Sequence, residues 1–166
     1  FWKNKKRINV YSNLETINYL KKTFSYCFKM VDSFYKPTLQ SNIIRSNFLI
    51  KVKKYKISFK AIRVKHGEIY CLGYIFNKIA YLSDCSFLSK KNLNDLKNLK
   101  YLFLDCMRLK VHPTHFNLEQ ALDVVKKLNP KKTFLINLHS DLDFGFLLNN
   151  LPKNVKPGYD GLKIKI

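Results

Sequence analysis

Four histidines are all that this chain has, and three of them fall at the ends of strongly apolar, strand-like runs. His66 follows the run from Ile57 to Val64, His139 follows Thr133 to Leu138, and His112 and His115 come a few residues past Tyr101 to Asp105. Asp84 closes a further apolar run that opens at Ile79. Neutral imidazole and carboxylate are the ligands that zinc and similar divalent ions accept at catalytic sites. Read singly, each histidine is bland, because no compact motif such as His-Glu-x-x-His occurs. Read together, one ligand per strand end lets a single sheet edge gather groups that are far apart in sequence.

The elements that must position these groups can be read from periodicity. Ile8 to Tyr11 reads as a short strand, and Leu14, Ile17, Leu20 and Phe24 then recur at helical spacing behind Ser12 or Asn13 as N-cap. Residues 25–40, with Pro37, read as loop. From Asn42 to Asp84 come four β-rich runs, broken near Lys53-Lys54, at His66-Gly67 and at Asn77-Lys78, the last break predicting a tight hairpin. Leu88 to Leu99 predicts an amphipathic helix, and Tyr101 to Asp105 a buried strand. Asn117 and Gln120 have the spacing of a capping box, opening a helix that Asn129-Pro130 ends. Thr133 to Leu138 predicts a strand, Phe144 to Leu151 a short helix, and the alternation from Leu162 to Ile166 an edge strand. Strands come first as a block and then alternate with helices, which predicts an α/β sandwich with active groups at strand ends.

At 166 residues, with 46% hydrophobic and 14% aromatic residues, the chain predicts one domain with a real core rather than disorder. The formal charge of +20, from 31 Lys+Arg against 11 Asp+Glu, favours an anionic partner. The lysines are spread between apolar runs rather than massed in one arginine-rich block, so nucleic acid ranks behind a small anionic substrate. Four cysteines without Cys-x-x-Cys spacing, no signal-peptide pattern and no apolar stretch near 18 residues predict a reduced, cytoplasmic protein without a membrane span. A homodimer is compatible with these features. The start at Phe1-Trp2, without Met, reads as that of a fragment or processed product.

Four stretches also read together: Val64 to Gly67, Leu72 to Ser86, His112 to Leu122 and Asn137 to Asp143, closed by Pro157 to Gly161. In that order they resemble the metallo-β-lactamase-fold hydrolases, and within them the branch that includes the cyclic-phosphate phosphodiesterase of phosphonate metabolism. The resemblance runs from about Ile8 to the C-terminus and implies an αββα sandwich. It implies His66 as ligand of one metal, Asp84 as the carboxylate bridging two, and His139 as ligand of the second. Many relatives carry histidine where Asn137 stands, so the last ligand position falls either at Asn137 or, displaced by two residues, at His139, which on a strand keeps it on the same face. His115 matches a histidine near the scissile phosphate, placed to protonate the leaving oxygen.

Around these, His112 is expected to shape its loop or stand behind the ligands, and Arg108 to meet a phosphate oxygen or solvent. Asp105, Asp141 and Asp143 are candidates to orient histidines or to cap helices. The family's His-x-His-x-Asp-His motif does not occur in this chain. The expectation is therefore the C-terminal portion of such a domain, N-terminally incomplete, holding at most a partial site for a pair of zinc or manganese ions. The implied activity is hydrolysis of a phosphodiester, a cyclic phosphate or phosphoribosyl-type ester, by a metal-activated water, with little activity in this chain alone. Two alternatives stand: a nucleic-acid hydrolase like the tRNA 3′-end nucleases, and a non-catalytic basic binding module.

Overall fold

The computed structural model describes residues 6–30, 36–52 and 54–165. Phe1-Trp2, Lys53 in the break read at Lys53-Lys54, and Ile166 lie outside the described residues. The chain divides into two compact units, Phe1–Phe48 and Leu49–Ile166.

In the first unit, β1 (Ile8–Ser12) leads into α1 (Leu14–Thr23) and α2 (Ser25–Phe28), and β2 (Leu39–Ile43) then pairs with β1 in parallel. The Asn13 side chain accepts from the Thr16 N–H, so of the two N-cap candidates it is Asn13 that starts the helix. Its apolar stripe buries Ile17 completely. The expected loop over 25–40 thus contains one helical turn and the start of a strand.

The remaining strands form one seven-stranded sheet in the order β3-β4-β5-β6-β7-β8-β9. They are β3 (Asn47–Val52), β4 (Tyr55–His66), β5 (Ile69–Phe76), β6 (Ile79–Leu82), β7 (Tyr101–Asp105), β8 (Lys132–Ile136) and β9 (Val155–Pro157), with α3 (Lys90–Asp95), α4 (Leu118–Leu128) and α5 (Phe144–Asn150) between the last four. β4, β5 and β6 form an antiparallel meander, and β6 to β9 are all parallel. Two reversals return β4 to the direction of β6. The C-terminal ends of β4, β6, β7, β8 and β9 therefore all leave at one edge, the edge where groups at strand ends can meet.

Local chemistry sets these directions. Asn77 and Lys78 have φ of 46° and 62°, the left-handed pair that a type I′ hairpin turn requires. Gly67, at φ 62°, makes the β4–β5 turn, and a Cβ there would lie 2.6 Å from Thr114 Cγ2. Asn117 and Gln120 form the capping box in both directions, and Asn129 ends α4 in the left-handed region. Ala121, Val124, Val125 and Leu128 bury the inner face of α4 in a core with Leu82, Leu102, Leu104 and Leu135, each fully buried.

Three expectations need correction. The helix expected over Leu88 to Leu99 is only Lys90–Asp95, because Ser89 caps it reciprocally with Asn92 and Asn98 turns left-handed at φ 58°, although Leu88, Leu96 and Leu99 are buried all the same. β8 stops at Ile136 because Asn137 is also left-handed, at φ 66°. Residues 162–165 are not in a strand despite their alternation. The free side of β8 is taken instead by Val155–Pro157, a segment too short and too proline-bound to read as a strand.

Candidate metal centre

The segments at and beyond the ends of β4, β6 and β7 each deliver one group. His66 is the last residue of β4, and its position is fixed from outside the strand: Lys65 bridges to Phe87, and the Ser86 N–H donates to the Lys65 carbonyl at 2.7 Å. That clip also holds the segment just past β6 where Asp84 lies. The loop after β7 is closed by a bridge between Arg108 and Asn117, and the Phe116 N–H donates to the Cys85 carbonyl at 2.9 Å. His115 is thereby drawn beside Asp84. The result is one cluster in which ligand atoms of His66, Asp84 and His115 all lie within 4.8 Å of one another.

Hydrogen bonds decide which imidazole nitrogens face the cluster. His66 Nδ1 is 2.7 Å from the Thr114 carbonyl oxygen, which only accepts, so Nδ1 carries the proton and Nε2 keeps its lone pair. His115 Nδ1 is 2.8 Å from Asp105 Oδ2, and the same reasoning leaves its Nε2 free. The two rings meet edge to face with centroids 4.6 Å apart. Asp84 is half-buried and accepts from the Ser83 hydroxyl at 2.8 Å.

Asp105 is wholly buried at the end of β7. Burial pushes its carboxyl above the ordinary range, opposed by donors from the Cys85 N–H at 3.0 Å, His115, and the Asn137 amide at 3.1 Å. The 3.4 Å between Asn137 Nδ2 and His115 Nδ1 is the gap between two donors sharing one carboxylate. Asp105 is thus the group that orients His115, of the three aspartates considered for such a role.

Two imidazole lone pairs and a carboxylate are a donor set that divalent transition metals accept. Three ligands about 2.1 Å from one tetrahedral ion lie about 3.4 Å apart, so the cluster would draw in by up to about 1.4 Å around an ion. The carbonyl and carboxylate behind the two rings are the supports that metal-binding histidines use.

Residues 2–137 match the beta-lactamase superfamily domain. The chain belongs to the beta-lactamase superfamily. Its fold is the metallo-β-lactamase fold, and it is similar to the crystal structure of a new diphosphatase from the PhnP family at a TM-score of 0.83 and 30% identity, over 96% of this chain and 58% of that one. It is also similar to zinc-bound PqqB from Methylobacterium extorquens, at a TM-score of 0.75 and 10% identity, over 99% of this chain and 67% of the other. Among curated proteins it is 26% identical over 161 residues to an octanoyltransferase of Porphyromonas gingivalis, covering 95% of this chain and 32% of that protein. The chain thus spans about a third of that relative and under two thirds of the diphosphatase.

His139 is not one of the three residues of this cluster. The period-two argument that carried a ligand from position 137 to 139 requires extended backbone between them. The left-handed turn at Asn137 breaks that register. His139 is instead well exposed and faces Asp141, with Nδ1 3.2 Å from Oδ1. Asn137 itself stays at the cluster's edge through Asp105 and through the Ser83 carbonyl at 3.4 Å. Asp143 caps α5, accepting from the Phe146 N–H at 2.7 Å.

His112 sits next to the cluster, its ring 5.1 Å from that of His115. Its Nδ1 accepts from the Thr114 N–H at 3.3 Å, and desolvation, then the Arg108 and His115 charges, hold its pKa below the ordinary histidine value. Arg108 donates to the Val111 carbonyl at 3.4 Å and so braces the loop that carries both histidines, while its buried Nε has no partner among the described residues. Beside this loop opens a cleft of about 680 Å³, lined by Arg63, Lys65, Tyr70, Phe87 and His112 among others. No sequence motif announces this cleft. Its residues come from four separate segments, joined by the clip between Lys65 and Phe87, by the Asn92 amide on the Arg63 carbonyl and by His66 against Thr114.

Proposed function

We propose that the chain contributes the metal-binding site of a hydrolase acting on small phosphodiesters, with His66, Asp84 and His115 as the ligands of one divalent ion, zinc or manganese. The convergence of three lone-pair-bearing groups at one sheet edge carries this reading. The 30% identity to a diphosphatase supports the phosphorus chemistry. The curated octanoyltransferase match covers too little of that protein to bring acyl transfer here.

A divalent ion at this position supplies a water of lowered pKa and an electrostatic clamp on phosphate oxygen. The chain's own groups do the rest. Thr114 and Asp105 fix the two rings, so no reorientation is needed when substrate arrives. Arg63 and Lys65 at the neighbouring cleft, and the +20 chain as a whole, draw an anionic ester toward the edge.

The buried Asp105–His115 pair favours a second role for His115. In place of ligating the ion, Nε2 of a ring held at Nδ1 by Asp105 could pass a proton to the leaving oxygen. Asp105→Asn separates the two roles. Turnover lost with the ion retained marks a proton carrier, and the ion lost marks a ligand.

The direct test is zinc and manganese binding by calorimetry, with hydrolysis of bis(4-nitrophenyl) phosphate as the activity readout. His66→Ala should weaken binding at least tenfold, whereas His139→Ala should leave it within about twofold. Wild-type binding in His66→Ala would overturn the proposal.

A further inference from the structure

The edge opposite the metal cluster has its own composition. There the chain passes through Asn77-Lys78 before β6, residues 96–100 before β7, residues 129–131 and the first residue of β8, and residues 152–154 before β9. These segments carry Lys78, Lys97, Lys100, Lys131, Lys132 and Lys153 and no aspartate or glutamate. Lys78, Lys97, Lys131 and Lys153 are exposed, and Lys100 and Lys132 half-buried. None of the six is in an ion pair among the described residues.

Topology, not sequence, brings them together. The Lys100 and Tyr101 N–H groups both donate to the Lys78 carbonyl, and the Lys132 N–H donates to the Lys100 carbonyl, so the three strand starts lie side by side. Adjacent strands are about 4.8 Å apart, which sets Lys78, Lys100 and Lys131 in a row. Together with Asn98 and Asn129 they line a hollow of about 510 Å³. Strands of four or five residues, at about 3.3 Å each, place this row roughly 15 Å from the cluster.

We propose that this lysine edge is a docking surface for the phosphate backbone of a nucleic acid. No large apolar side chain is exposed on these segments, so the lysine row itself lacks both the anchors of a membrane-binding face and the apolar centre of a protein interface. What it offers is rows of point charges without a bidentate arginine. That chemistry neutralises phosphates without reading bases.

The test uses fluorescence anisotropy of the full chain with a labelled 20-base-pair RNA duplex across a salt series. Lys78→Gln, Lys100→Gln and Lys131→Gln combined should lower the slope of log affinity against log salt by about three, one per lost phosphate contact. A control triple at exposed Lys90, Lys110 and Lys163, in segments that follow the strands, should keep the wild-type slope, and His66→Ala should bind RNA normally. Equal losses in the two triples would assign the binding to net charge and overturn the proposal. Polyglutamate or anionic phosphatidylserine vesicles bound as tightly as the duplex would overturn it too, in favour of an acidic-protein or membrane partner.

Discussion

At the residue scale, the site rests on groups that never face it. Thr114 presents its carbonyl to His66 while its Cγ2 lies where a Cβ on Gly67 would fall. Gly67→Ala therefore combines a left-handed φ with a clash, and should cost about 1–2 kcal/mol of stability. Because the clash displaces Thr114, metal affinity should fall about tenfold as well. Urea unfolding and calorimetry check both, and adding Thr114→Ser should recover part of each loss. The thiols make a separate residue-scale prediction. Burial pushes Cys85 and Cys106 up to about 12. At pH 8, iodoacetamide should modify half-buried Cys27 while Cys85 and Cys106 react only on unfolding. The unfolded chain loses these protons from about pH 9 and the folded chain keeps them to about 12, so their contribution to stability is present below 9 and falls as pH rises above it. Urea midpoints at pH 8 and 10.5 should show that decline, flattened in the Cys85→Ala, Cys106→Ala double variant.

At the element scale, what could be read from sequence was what local chemistry dictates. The Asn77-Lys78 hairpin and the Asn117–Gln120 box are properties of two or four neighbouring residues, and both are present. Asn117 is also nearly buried and donates to the Leu109 carbonyl at 3.2 Å, tying α4 to the loop that carries His115. Asn117→Ala removes the cap and leaves that carbonyl without its donor, and should cost about 2 kcal/mol, whereas Asn117→Asp should cost less by keeping the cap. Thermal melts of the two variants check the order. β9 and the end of β8 were not legible, for opposite reasons. Val155–Pro157 is a strand only because β8 offers it hydrogen bonds, and β8 ends early because one asparagine turns left-handed. The same turn takes His139 off the extended path that the period-two reading assumed.

At the scale of the whole molecule, the parallel strands sort charge and chemistry to opposite ends. The residues that follow the strands supply His66, Asp84 and His115, and those that precede them supply the six lysines. In the sequence these lysines are spread between apolar runs and form no block, and only strand order makes them a row. That order also sets how the molecule can join others. The sheet finishes on one side at β9, three residues long, with exposed Lys156 and with Pro157, which has no N–H to give. On the other side it finishes at β3, six residues long and the last in the order among the described residues. The β9 side is therefore blunted against strand addition by a second copy or another segment, because three residues offer few hydrogen bonds and one of them has no N–H to give.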